Sequence, residues 1–578
     1  MSARSSARLN RLLPLSEALE SFVEPGQHLC FASTPSRSNA AVRELARQFR
    51  GKKPDFVLAA TGFHSLLHLL GTLRLGRRYV GCFFGDNYPT PRPNRLYAEL
   101  LREGYDLEQW SLWSYVSALA AGAYGHPFGI TRSLLGTSLG AQLAERGKLL
   151  EITDPADPDR RLGLVRAMRP DITFLHAPLG DSQGNVAFSP PYGEGFYGAL
   201  AAKRGVIVTV ERVVSSDFLS TLPHFRPLPA HRVLAVCEEP FGAHPQPLHV
   251  APAELRAFEP GYADDYAGYL GWRSLSQEPE AFERFAAQVL DAADGAAGYR
   301  AFVSGARFDA LRRVPASVPP PVSLHADQLE PTDDLLLLAG RALARRVTQG
   351  GYRSILAGIG QAFAACRLAK QLLGERADDV ELMIETGFAG VDVEDAHPFL
   401  LSRENIASAT RLTAVDSMLG ALCCGGSAEC IGVIGAAEVD QDGNVNSSQS
   451  DGELLVGPGG APDIAACARE VMVLTRADPR RLVRKVEYIT SLGQQVRTIV
   501  TDACVFERSA AGEPWLVRDV VPARAAALTD LLHNGGFRFA MPGPPPTAPA
   551  PSELELELLA RLRFVAPGAV QKSEARGG

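Results

Sequence analysis

The chain lacks a C-x-x-C pair, a long apolar run and any block of lysine and arginine, and each absence removes a class of function. With no stretch approaching about 18 apolar residues, no transmembrane helix and no membrane partner are expected. A net charge of -7 without a basic block leaves no face to displace counterions from phosphates, which argues against nucleic acid as a partner. The nine cysteines (Cys30, Cys82, Cys237, Cys366, Cys423, Cys424, Cys430, Cys467 and Cys504) are odd in number and scattered through apolar segments. They read as buried free thiols in a reducing compartment. Cys423, Cys424 and Cys430 form the one cluster in sequence, and vicinal cysteines lack the spacing of zinc ligands, so no metal is expected. G-x-S-x-G, Walker A, H-E-x-x-H and kinase signatures are also missing, which sets aside the commoner hydrolase, phosphoryl-transfer and zinc-protease chemistries. The first sixteen residues are rich in Arg and Ser and free of acids, faintly like a transit peptide, but hold no signal-peptide apolar core. A cytoplasmic location is the default expectation.

What the chain does contain is a phrase that occurs twice, Asp181-Ser-Gln-Gly-Asn-Val186 and Asp440-Gln-Asp-Gly-Asn-Val445. Each copy follows one apolar run and precedes another, the second runs beginning at Arg204 and Arg469, so a whole strand-turn-strand unit reads as duplicated. Turn chemistry accounts for the letters, because Asn and Gly supply turn conformations and Asp caps its own backbone. The recurrence implies two related halves that meet at a shared cleft.

Composition is ordinary for a globular protein, with 46% apolar and 21% charged residues, and 578 residues are enough for several cores. In the first half a helix from Ser16, a turn at Pro25-Gly26 and a strand follow one another. The second half opens in the same way, with a helix stopped at Gly350-Gly351 and a strand from Ser354; a helical period from Phe363 and a short buried strand from Val380 to Glu385 come next. This alternation predicts an α/β fold of two related lobes, each a mainly parallel sheet flanked by helices. Pro319, Pro320 and Pro321 deny backbone donors and favour an extended connector. The expected division is a first lobe over 1–325 with a proline-rich linker at its end, a second over 326–545, and a Pro-rich tail over 546–578. In that tail Ser552 begins a short helix by capping-box spacing to Glu555, and the last dozen residues are expected to fray.

Glu385 stands where an apolar strand ends and a Gly-containing loop begins, and in open α/β sheets ligands bind outside the carboxyl ends of the strands. It reads equally as a nucleophile or base and as a turn residue in a salt bridge. Gly358-Ile359-Gly360-Gln361 ends the preceding strand and opens a helix, but Phe363 stands where a dinucleotide fingerprint needs Gly or Ala, so NAD is disfavoured. Such glycines suit backbone N–H groups that approach a ligand oxygen, as an oxyanion site requires, and Gly435-Ala436-Ala437 offers a second loop of that type. His244 and His397 each precede a proline and read either as proton donors or as hydrogen-bonded loop residues.

These segments, in this order, resemble the family I CoA-transferases, and most closely glutaconate CoA-transferase with its α and β subunits fused. The α-like half runs through Val116–Gly140, His176–Val186, the strand after Arg204, and Gly242-Ala-His-Pro245. The β-like half runs through Ile355–Gly360, Met383–Gly387, Val433–Ser448, Gly457-Pro-Gly-Gly460 and Arg484–Gly493. The resemblance implies an active site between the lobes and a CoA-transferase that moves CoA between an acyl-CoA and a small carboxylic acid. Glu385 would be the nucleophile, reacting by ping-pong through a mixed anhydride and a glutamyl-CoA thioester. Gly358, Gly360, Gly435 and Ala436 would supply the oxyanion donors, and Gly457, Gly459 and Gly460 would let CoA approach. No cofactor would be permanently bound, coenzyme A being a substrate, and a homo-oligomer, a dimer, is expected. The segment facing the substrate acid is glycine-rich in glutaconate CoA-transferase; here Phe63, His64 and Ser65 line that pocket, which disfavours glutaconate itself. Thr386 replaces the usual Ser or Asn after the glutamate. Two alternatives remain open: a hydrolase or decarboxylase acting on a CoA thioester, and a non-catalytic binding protein.

Overall fold

The computed structural model describes residues 10–313 and 323–563, apart from 395, 427, 451, 542 and 545. The Pro319–Pro321 connector, the expected frayed end and the first nine residues of the Arg- and Ser-rich start lie outside the described residues.

Two sheets organise the molecule. The first contains β1 (His28–Phe31), β2 (Phe56–Ala59), β3 (Gly76–Gly81), β4 (Asp106–Gln109), β5 (Ile172–Gly180), β6 (Val186–Ala187), β7 (Gly205–Val213) and β8 (Val233–Glu238). Its order is β8-β7-β5-β1-β2-β3-β4, all parallel, with β6 returning antiparallel on β5. The second contains β9 (Ser354–Ala357), β10 (Glu381–Ile384), β11 (Phe388–Ala389), β12 (Arg411–Leu412), β13 (Cys430–Gly435), β14 (Glu470–Leu474), β15 (Val496–Val500), β16 (Val505–Glu507), β17 (Trp515–Arg518) and β18 (Phe539–Ala540). Here β10-β9-β13-β14-β15 are parallel, and the antiparallel pairs lie towards the edges. Strands such as Ile172–Gly180 are buried at every position, which explains why they read as unbroken apolar runs: both faces are covered.

The helices used below are α1 (Leu15–Phe22), α2 (Leu112–Tyr124), α3 (Pro331–Gly350), α4 (Gln361–Leu372), α5 (Ala461–Cys467) and α6 (Glu553–Leu562). α3 opens with proline in its first turn and stops at Gly351, whose φ of 64° is the left-handed conformation that glycine accepts without a Cβ clash. α6 has the expected box, with Ser552 Oγ accepting from Glu555 N–H and the Glu555 side chain accepting from Ser552 N–H.

The twin turns are built alike. Asp181 Oδ1 accepts the N–H groups of Gln183 and Asn185, both at 2.9 Å, and Asp440 Oδ1 accepts those of Asp442 and Asn444 at 3.0 and 2.9 Å. Both follow the strand next to the sheet centre, and β5 pairs with β7 as β13 pairs with β14. One apolar cluster crosses between the lobes, joining Tyr115, Val116 and Leu119 of α2 to Met418, Leu419 and Ile464. The loop over 456–460 is tied to the first half by main-chain bonds: Phe84 N–H to Val456 O, Gly459 N–H to Cys82 O and Leu112 N–H to Gly459 O, at 2.8, 2.8 and 2.9 Å.

Candidate active site

Glu385 follows the last residue of β10, and Gly387 then turns the chain back into β11. Gly387 has φ 112°, and a Cβ on it would lie 2.7 Å from Ala414 Cα, so the return requires glycine. The Glu385 side chain is half-buried and opens on a cavity of about 620 Å³ lined by both lobes. It has no charged partner among the described residues, and burial alone pushes its carboxyl from 4.5 up to about 7. Gly460 lies directly beneath it: a Cβ there would stand 2.0 Å from Glu385 Oε2.

Gly358, Gly360, Gly435, Ala436, Gly457, Gly459 and Gly460 all line this cavity. Two of the expected oxyanion donors are already engaged, however. Gly358 N–H donates to Val433 O at 2.8 Å and Ala436 N–H to Leu474 O at 2.9 Å, because both residues still extend the sheet ladder. At the start of α4, Gly360, Gln361 and Ala362 also line the cavity, and the first N–H groups of a helix have no partner within it. The 457–460 loop also differs from a bare approach surface. Gly457, at φ 88°, would place a Cβ 2.9 Å from Cys82 O, so its missing side chain serves lobe contact first.

Of the three residues assigned to the acid pocket, His64 lines the cavity and the other two do not. Phe63 is fully buried, its ring stacked on Phe84 at 5.2 Å and edge-on to Tyr79 at 5.6 Å, and Ser65 sits at φ 56° in a buried turn. The correction is one of side-chain direction: the short strand Gly62–Phe63 turns Phe63 into the core. His244 bonds Tyr299 Oη at 2.7 Å and Asp265 Oδ2 at 2.8 Å, and His397 Nδ1 accepts Phe399 N–H at 3.0 Å with its ring on Tyr266. Burial pushes both imidazoles down, and neither lines the cavity.

Sequence reasoning missed Thr61, Cys82, Arg476 and Arg481, all on the cavity wall. One signal was available. Ala60-Thr61-Gly62-Phe63 and Glu385-Thr386-Gly387-Phe388 each follow the same strand of their lobe, β2 beside β1 and β10 beside β9, so Ala60 holds in the first lobe the place of Glu385 in the second.

Residues 13–229 match the family model described as Coenzyme A transferase. Both subunits of the 3-oxoadipate CoA-transferase of Pseudomonas knackmussii are similar to parts of this chain. The first is 29% identical over 280 residues, covering 47% of this chain and 90% of its own length. The second is 28% identical over 221 residues, covering 34% and 82%. An acyl-CoA transferase (YdiF) of Escherichia coli O157:H7, 16% identical, shares the fold with a TM-score of 0.64 over 97% of this chain and 98% of its own. The chain is therefore similar in sequence to CoA-transferase subunits and shares its fold with an acyl-CoA transferase. It carries the counterparts of the two separate subunits in one polypeptide.

Proposed function

We propose that the protein moves CoA between an acyl-CoA and a free carboxylic acid, with Glu385 as covalent carrier. The observation that carries this reading is a carboxylate without a charged partner among the described residues, set at the seam of two lobes, facing a large cavity and seated on a glycine that has no room for a side chain. Glu385 attacks the thioester carbonyl, the C–S bond breaks, and CoA thiolate leaves a mixed anhydride. The thiolate attacks the glutamyl carbonyl and expels the acyl group as its carboxylate, leaving glutamyl-CoA. An acceptor carboxylate then attacks glutamyl-CoA and releases the thiolate, which takes the new acyl group from the anhydride and regenerates Glu385.

The start of α4 is placed to hold the developing oxyanions, at about 3 kcal/mol per donor in comparable sites. Arg481, exposed at the rim, supplies positive charge for the phosphates of CoA, whereas Arg476 on the same wall is paired with Asp502. The stitched 456–460 loop limits water at the anhydride, which would otherwise hydrolyse. The test is acceptor dependence. CoA exchange from an acyl-CoA to an isotopically labelled acid should require that acid and vanish in Glu385→Ala, whereas steady CoA release with no acid present would make the protein a hydrolase.

A further inference from the structure

Four thiols gather in the second lobe, outside the reaction described above. The π-helical segment Asp416–Cys423 ends at Cys423 and Cys424, Cys430 begins β13, and Cys467 ends α5. Cys424 follows Cys423 directly and neighbours Cys467, and Cys423 in turn neighbours Cys430. Cys424 Sγ also lies 3.9 Å from Asp463 O. Among the described residues no group of three or more His, Cys, Asp and Glu is arranged to hold a metal ion.

The four differ in access. Cys423 and Cys430 are buried, whereas Cys424 and Cys467 are partly open to solvent. Arg132 reaches across from the first lobe and donates from Nη2 to Cys424 O at 3.0 Å, which puts a cation beside the two open thiols. Hydrogen bonds from Cys423 and Cys467, reinforced by the Arg132 charge, hold the Cys424 thiol below the usual thiol range against the effect of burial. Partial exposure, a neighbouring guanidinium and an adjacent thiol together make a reactive cysteine with a resolving partner.

We propose that Cys424 and Cys467 are an oxidative modification site, which peroxide converts to a reversible disulfide joining the π-helical segment to α5. Cys424 thiolate attacks a peroxide oxygen; the S–O bond forms, the O–O bond breaks, and the departing hydroxide is protonated to water. The Cys467 thiol then attacks the sulfenic sulfur; the S–S bond forms, the S–O bond breaks, and the departing hydroxide takes the Cys467 proton to leave as the second water. Two thiols are oxidised and one peroxide is reduced. Cys423 is the poorer partner, because it is buried and vicinal disulfides are strained.

The crosslink also reaches the carboxylate. α5 begins immediately after Gly460, on which Glu385 rests, and Leu419 of the π-helical segment packs 3.5 Å from the Cβ position of Gly460. Closing the neighbouring thiols to a bond of about 2.05 Å draws together the two elements that bracket Gly460. Oxidation therefore slows the reaction at Glu385.

The experiment treats the full chain with hydrogen peroxide, alkylates the remaining thiols and maps peptides by mass, with dithiothreitol reversal and Cys467→Ser in parallel. The expected result is a Cys424–Cys467 linked pair, two hydrogens lighter than the free peptides, removed by dithiothreitol and absent from Cys467→Ser. In that variant Cys424 should instead accumulate its oxygen adducts. A Cys423–Cys424 link, or retention of both open thiols, overturns the proposal. Activity of the crosslinked protein should fall by about 10-fold, since misplacement by about 1 Å near a reacting group costs up to about 100-fold. Full activity in the crosslinked form would refute the link to Glu385. The activity arm rests on the transfer reaction proposed above, whereas the crosslink is read by mass and stands or falls independently.

Discussion

At the scale of single residues, Glu385 is a carboxyl held protonated by its surroundings beyond the range in which an exposed carboxyl would ionise. Its folded-state value of about 7 lies above the ordinary 4.5, so the stability it contributes is fully present below pH 4.5 and is lost as pH rises through about 7. Glu385→Gln, which cannot ionise, should exceed the parent protein in stability above about pH 8, by up to about 3 kcal/mol less whatever cavity water screens. The two should converge near pH 4.5, as read by denaturant unfolding across pH; a constant difference would contradict the burial argument. The same ionisation governs the nucleophile, so kcat/KM should rise with an apparent pKa of about 7. Gly460→Ala is the matching steric test. Its φ of -90° suits alanine, but the added Cβ would meet Glu385 Oε2, so turnover should fall by about 100-fold while the melting temperature barely moves. Equal loss of both would mean the glycine serves the fold alone.

At the scale of elements, the two aspartate turns carry the clearest energetic prediction. Asp181 satisfies two main-chain donors and Asp440 three, each with an asparagine side chain besides, so Asp181→Ala and Asp440→Ala should each cost about 2 kcal/mol or more, measured by urea unfolding. Little change in either would show that water replaces these bonds freely. This is also the scale at which the sequence was most readable. The helix stop at Gly351, the capping box at Ser552 and the buried strands around both turns depend on neighbours a few residues away. Phe63 shows where reading failed. Whether the residue after Gly62 points to ligand or to core depends on Phe84 and Tyr79, which approach through strands the local sequence does not pair. The donors lost at Gly358 and Ala436 fail for the same reason, since ladder bonds at strand ends belong to the neighbouring strand.

At the scale of the whole molecule, the first-lobe wall of the cavity, with Thr61, Cys82 and Pro91, exists only because the lobes dock, and no local pattern encodes that contact. The docking is intimate. Asp463 of α5 accepts Ser111 Oγ at 2.8 Å and Trp113 N–H at 2.9 Å, and one apolar cluster runs through both halves. The fused chain should therefore unfold by heat in one cooperative transition, and two resolved transitions would contradict the shared core. The repeat also has an asymmetry with consequences: Ala60 stands where its twin position carries Glu385, so the duplicated scaffold holds one carboxylate for one cavity.

The most direct measurement is peptide mass mapping of the protein after incubation with a panel of acyl-CoAs in the absence of acceptor acid. The account predicts a CoA adduct, lost on treatment with hydroxylamine, on the peptide containing Glu385 and absent from Glu385→Gln. Turnover with the peptide unmodified at every time point, or an adduct on a different residue, would contradict it.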